Sequence, residues 1–255
     1  MTVTGRSGAA APTARKPRQV LALLVLGEGE VLSVDSIVRE LWDGQPPKSV
    51  LTTVQTYVML IRRLLSAGLG MTGAEVARRA LITRNSGYLL TLPDAGVDLR
   101  AYRSLEREGM RAFERRDDER AVRLFDDALG LWRGRAFADV ELGGVLGPEV
   151  AGLEQSRLTL KECRIEAELR RGRHREMLSE LTVLTAQNSY NENLHALYML
   201  ALHRSGHRGR ALQTYHDLRA QMIGELGVEP SRRVQQLHQA VLTGAAAAEP
   251  PAPAG

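Results

Sequence analysis

The stretch VLTTVQTYVMLIRRLL, residues 50–65, decides how this chain is read. On a wheel of about 100° per residue, Val58, Ile61 and Leu65 fall within about 40° of Val54, an apolar stripe suited to packing on other helices. Opposite the stripe lie Thr52, Thr56, Met59 and Arg63, with Gln55 and Arg62 along one flank and Thr53 and Leu60 along the other. A face that only meets solvent favours Glu and Lys, and each β-branched Thr costs about a few tenths of a kcal/mol relative to Ala. Here residues 49–66 contain no acid at all. Short hydroxyls, an amide and arginines suit a DNA major groove: Gln reads adenine, Arg reads guanine or clamps phosphate, and Thr or Met touches a thymine methyl. Packing on another subunit would tolerate the same face, and that alternative stays open at this point.

Working outward, Pro17 fits a helix start and RQVLALLVLGEGE reads as a short helix closed by Gly27. Ser33 or Asp35 caps a second helix that stops at Asp43-Gly44, and QPPKS breaks the chain before the third, for which Ser49 is the N-cap candidate. The third helix is expected to end near Ser66. SAGLGMTGAEVARR follows as loop or weak helix. Residues 81–83 and 88–92 then read as two short strands around Asn85-Ser86-Gly87, residues that tolerate the positive φ of a tight hairpin. Three helices followed by a hairpin form a winged helix-turn-helix, placed over residues 16–97.

From residue 98 the pattern is helical throughout, and it repeats. GRHREMLSELTVLTAQN at 172 and GHRGRALQTYHDLRAQM at 206 start 34 residues apart, the tetratricopeptide period. Met177 answers to Ala211, Leu181 to Tyr215 and Leu184 to Leu218; an earlier unit, DDERAVRLFDDAL, places Ala121 and Phe125 in the same roles. In such repeats Gly opens the turn, the small residue admits the neighbouring helix, and the aromatic fills the gap between units. The fold class is therefore mainly α: a winged helix-turn-helix followed by an all-helical tetratricopeptide-like domain over residues 98–243. Residues 1–15 and the Ala/Pro tail 244–255 bury too little to order themselves and are expected to be flexible.

Composition bounds the function. With 255 residues, 44% of them hydrophobic, the chain suffices for two helical domains. No apolar run approaches a membrane span and the N-terminus lacks a long apolar leader region, so a cytoplasmic, nucleoid-associated location is expected, with no membrane partner. The lone Cys163 forms no internal disulfide and reads as a small hydrophobe. Residues 1–97 hold 11 Lys plus Arg against 7 Asp plus Glu, whereas residues 98–255 hold 23 of each, so the +4 excess belongs to the segment that would meet a polyanion. Of the basic residues 31 are Arg, which a GC-rich genome explains as readily as phosphate binding.

The candidate DNA contacts are Thr52, Thr53, Gln55, Thr56, Arg62 and Arg63 on the third helix, Arg84 on the wing, and Arg18 at the start of the first helix. Arg78, Arg79, Arg15 and Lys16 are weaker candidates, with a solvated arginine the plain alternative for the first two.

These residues carry a resemblance. The run from KPRQVLALLVLGEGE through RELWDGQPP to the third helix, SGYLL in the wing, ALGLWRGRAFADV in the first repeat and ELGVEPS near the end together resemble the Streptomyces antibiotic regulatory protein family over about residues 16–243. The resemblance implies an OmpR-type winged helix joined to a bacterial transcriptional activation domain. It implies a pathway-specific activator of a secondary-metabolite cluster, bound to direct repeats in promoter DNA as side-by-side protomers of a homodimer. It also implies contacts with RNA polymerase, including its housekeeping sigma factor. Residues 49–66 take the place of the recognition helix and residues 81–92 that of the wing. This chain departs from the family in having Met59 and Leu60 where polar or basic residues are common. It departs again in having only a Gly/Ala/Pro/Arg stretch where members carry a small β-sheet before the first helix.

Two other classes compete. An enzyme is unsupported: there is no Walker A loop, no GxSxG elbow, no cysteine cluster and no cofactor motif. His203 and His207 have the i, i+4 spacing of a metal pair, but Gly206 places a turn between them. Acid pairs such as Asp117-Asp118 and Asp126-Asp127 read as solvated repeat surface. The second competitor is a tetratricopeptide-like protein-interaction module whose winged helix is truncated and does not bind DNA by itself. A response regulator would need a receiver domain, which the chain lacks.

Overall fold

Two short triplets pair ahead of the first helix. β1 (Val3–Gly5) and β2 (Gly8–Ala10) run antiparallel with Val3 opposite Ala10, beside the third helix. The stretch expected to be flexible over residues 1–15 thus contains paired triplets at 3–5 and 8–10, each too short to show a side-chain period. The computed structural model describes residues 3–5, 8–92 and 97–244. The expected flexible tail from residue 245 onward lies outside them. Residues 1–104 with 130–157 form one compact unit and residues 105–129 with 158–255 a second.

In the first unit, α1 (Arg15–Leu26) holds Pro17 in its first turn, where a missing N–H costs nothing, and Gly27 follows its end. β3 (Val31–Ser33), which has too few residues to show alternation, leads into α2 (Val34–Trp42). Ser33 supplies the cap, its hydroxyl oxygen accepting the Ser36 N–H at 3.0 Å. Asp43 at φ 46° and Gly44 at φ 81° end α2. α3 (Val50–Leu69) extends a turn beyond its expected end, to Gly70 at φ 65°. Its buried residues are the expected stripe, Val54, Val58, Ile61 and Leu65. Ser49 gives no side-chain cap; its carbonyl instead accepts from both the N–H and the hydroxyl of Thr53.

A Thr72–Glu75 capping box opens the single turn α4 (Gly73–Glu75), which widens into π-type turns over Val76–Ala80. The wing follows: β4 (Leu81–Arg84) and β5 (Gly87–Leu90), with β5 central in the order β3-β5-β4. The two-residue turn Asn85-Ser86 uses no positive φ; among the described residues the non-glycines with positive φ are Asp43, Arg116 and Phe137. Gly87 is needed for another reason, since a Cβ there would lie 2.0 Å from the Leu32 carbonyl oxygen.

The core of this unit, with Leu21, Leu24, Ile37, Leu81 and Leu90, also takes in Val140 and Leu146 from beyond residue 130. The link is chemical as well as apolar. Glu40 on α2 is 4% exposed, and its carboxylate accepts N–H bonds from Gly143 (2.6 Å), Val145 (2.9 Å) and Leu146 (2.9 Å). These are the amides at the start of α7 (Leu146–Arg170), where a helix has unsatisfied donors and positive dipole. α5 (Asp98–Glu114) and α6 (Asp118–Gly130) precede it.

The second unit takes the remainder of α5, α6 and α7, then α8 (Leu178–Gln187), α9 (Glu192–Arg204), α10 (Arg208–Gln221) and α11 (Arg232–Thr243), around Leu181, Leu197, Leu200 and Ala211. The repeat is legible in backbone hydrogen bonds. Gly172 at φ 84° and Gly206 at φ 86° each end a helix, and the next N–H reaches five residues back, Arg173 to Glu168 and His207 to Leu202. Arg116, at φ 61°, takes the same place with Asp117 bonded to Ala112, five residues before Ala121 as Gly172 precedes Met177. Cys163 is buried, its thiol pushed up to about 12 by desolvation.

Candidate nucleic-acid interface

α3 presents its outward face along two rows of four-residue spacing. Leu51, Gln55, Met59 and Arg63 form one, and Thr52, Thr56 and Leu60 the other; all seven are exposed, while Thr53 on the flank is half-buried. The threonines are less versatile than their formula. Thr53 Oγ1 donates to the Ser49 carbonyl at 3.0 Å and Thr56 Oγ1 to the Thr52 carbonyl at 2.9 Å, so the single hydroxyl hydrogen of each is committed to the helix. What they offer outward is a methyl group and acceptor lone pairs. Donors to a base edge on this face are therefore Gln55, Arg63 and the hydroxyl of Thr52.

Two arginines expected among the DNA contacts make hydrogen bonds within the protein. Arg62 is half-buried; its Nε and Nη2 donate to the Leu81 carbonyl at 3.0 and 2.9 Å, and Nη2 also to Thr83 Oγ1 at 2.9 Å. It ties α3 to β4. Arg18 donates Nε and Nη2 to the Pro12 carbonyl and Nη1 to the Asp139 carbonyl, with the Asp139 carboxylate at 3.7 Å.

Arg84 is exposed at the end of β4, opposite Gly87 and next to the turn. Arg78 and Arg79 are exposed on the π-type turns near Glu75, whose carboxyl is held below its ordinary range by the Thr72 N–H and then the Thr72 hydroxyl. Arg15 pairs with Glu141 at 2.5 Å, and the Lys16 ammonium sits 4.3 Å from the Trp42 ring centre. The reading of the sequence passed over Leu51, 61% exposed, which belongs to the row of Gln55, and Lys48, exposed just ahead of α3. A usable signal was present: no acid occurs between Asp43 and Glu75. Among the described residues no group of three or more His, Cys, Asp or Glu side chains is placed to hold a metal ion, and no helix is long and apolar enough to cross a membrane.

Residues 8–90 match the family described as transcriptional regulatory protein, C terminal, and residues 97–242 the bacterial transcriptional activator domain. The chain is 47% identical over 231 residues to the regulatory protein DnrI of Streptomyces peucetius, covering 91% of this chain and 85% of that one. It is 32% identical over 229 residues to the transcriptional regulator RedD of Streptomyces coelicolor, covering 90% and 64%. With the regulatory protein AfsR of Streptomyces griseus it shares 34% identity over 225 residues, 88% of this chain but 22% of AfsR. Among solved structures, Mycobacterium tuberculosis EmbR in complex with a low-affinity phosphopeptide superposes with a TM-score of 0.86 at 26% identity, covering 93% of this chain and 61% of that one. The mainly helical winged-helix and activator-domain arrangement is common to both.

Proposed function

The chain belongs to the Streptomyces antibiotic regulatory protein family of transcriptional regulators, and from that premise we propose that it binds promoter DNA sequence-specifically and activates a secondary-metabolite, antibiotic-type gene cluster. The observation that carries this reading is the exposed, acid-free face of α3, with Arg63 at one end of its outer row and Arg84 on a wing that Arg62 holds to the helix. α3 enters the major groove, where Gln55 and Arg63 donate to base edges, Thr52 offers its hydroxyl, and Thr53 and Thr56 offer methyls and acceptors. Arg84 meets phosphate. Arg62 and Arg18 hold the wing and the first helix in place.

Two protomers sit side by side on direct repeats near the promoter, and the helical-repeat unit engages RNA polymerase with its housekeeping sigma factor. Family membership supports these last two statements, and a nucleoid-associated cytoplasmic location follows from the function. The test is a salt-titrated gel shift of the full chain on its neighbouring promoter DNA against random competitor. Specific retardation at physiological salt is expected. Equal affinity for promoter and competitor at every salt concentration would overturn the proposal and favour the interaction-module alternative.

A further inference from the structure

We propose that the row Leu51, Gln55, Met59, Arg63 reads its operator largely through thymine 5-methyl groups flanking an adenine. This rests on the DNA-reading function above and specifies what is read. Leu51, Met59 and Leu60 are 61%, 48% and 42% exposed, so α3 carries three large apolar side chains on its outer side. Thr53 and Thr56 add methyls, because their hydroxyl hydrogens are already donated to the Ser49 and Thr52 carbonyls. The face is therefore poor in donors and rich in apolar surface. In the major groove the apolar group that complements it is the thymine methyl.

Charge selects the occupant. No acid lies between Asp43 and Glu75, and Lys48 just ahead of α3, Arg63 on its outer row and Arg84 on the wing are exposed, a combination that suits a polyanion. Gln55 stands between Leu51 and Met59 in the same row, with roughly 6 Å of helix rise per step, close to two base-pair rises at about 3.4 Å each. The amide takes the adenine N6/N7 edge, and the thymines lie on either side of it.

The experiment selects duplexes from a randomised pool with the full chain, then replaces each thymine of the winning sequence singly by deoxyuridine. Loss of one contacted methyl is expected to weaken binding about fourfold, equivalent to about 0.8 kcal/mol. The ratio should stay constant between roughly 50 and 200 mM salt, because a methyl contact releases no counterion. Met59→Ala should abolish the deoxyuridine penalty at one position and Leu51→Ala at another; both side chains are exposed, and unchanged Tm values would exclude misfolding.

A specific winning sequence that tolerates deoxyuridine everywhere would overturn this inference while leaving DNA reading intact. Equal weakening of thymine and deoxyuridine duplexes by both variants would overturn it too, as would an effect of the variants on self-association alone. Emergence of no preferred sequence would instead remove the DNA-reading function on which it rests.

Discussion

Removal of the Glu40 carboxylate should loosen the first unit more than any surface change. Its two oxygens satisfy three backbone N–H groups, of Gly143, Val145 and Leu146, at a site 4% exposed. A buried donor left without an acceptor costs about 1–3 kcal/mol. Three such losses, moderated by water entering the space vacated in Glu40→Ala, amount to about 4 kcal/mol. Glu40→Gln keeps one acceptor oxygen and turns an N–H₂ toward the other donors, for a loss of about 2 kcal/mol. At roughly 2–4 °C per kcal/mol for a domain of this size, the alanine variant should melt about 10 °C lower. The two units need not unfold together, so the decisive assay is native-state hydrogen exchange at the amides of Gly143, Val145 and Leu146. Their protection should fall in Glu40→Ala before that of the helical-repeat core. Unchanged exchange at all three amides, with Tm within a degree of the parent, would refute the reasoning. Gly143→Ala attacks the same junction from the other side, since its Cβ would lie 2.5 Å from the Glu40 carbonyl oxygen, and should lower Tm in parallel.

Arg84→Ala should reduce the salt dependence of DNA binding by about one phosphate's worth, whereas Arg62→Ala should lower stability by about 1–2 kcal/mol without changing that slope; salt-titrated binding and thermal melts separate the two. Gln55→Ala should cost roughly 1–3 kcal/mol on the selected operator and nothing on random DNA, compared in one gel-shift series. Gly172→Ala or Gly206→Ala forces a side chain into the left-handed region and should destabilise the repeat unit by about 1–2 kcal/mol in denaturant unfolding. His195 is buried, and desolvation lowers its pKa from the ordinary 6.5, partly opposed by its bond to the Asn191 carbonyl and by Glu192. The unfolded chain therefore binds the proton more readily. The stability of this unit should be full above pH 6.5 and fall as the pH drops from there toward the lowered folded-state value. His195→Gln should flatten that loss in melts at successive pH values.

What was legible in the sequence was what periodicity encodes. The stripe Val54, Val58, Ile61, Leu65 gave α3 its buried side, and Gly172 and Gly206 marked repeat turns that the backbone bonds repeat in detail. Elements too short for a period were lost: β3 has three residues, as do β1 and β2, and each exists through its partner strand rather than its own propensity. Gly87 was recognised for the wrong reason, because the proximity of Leu32 is a tertiary fact. The bonds of Arg62 and Arg18 within the protein were not legible, because local charge says nothing of a carbonyl brought close from 19 or 121 residues away. Likewise, nothing in the string RAFADVELGGVL announces that Val140 and Leu146 complete the core around α1 and α2.

The Arg62 clamp gives the wing a metric meaning. With the guanidinium fastened to Leu81 and Thr83 and the turn reduced to two residues, the base of the hairpin is tied to α3 and its tip can be moved only by whole residues of strand. A strand advances about 3.4 Å per residue and successive side chains point to opposite faces. Lengthening both strands by one residue would carry the tip outward by about that much and turn its cation to the other face, so only an even extension moves the charge without reversing it.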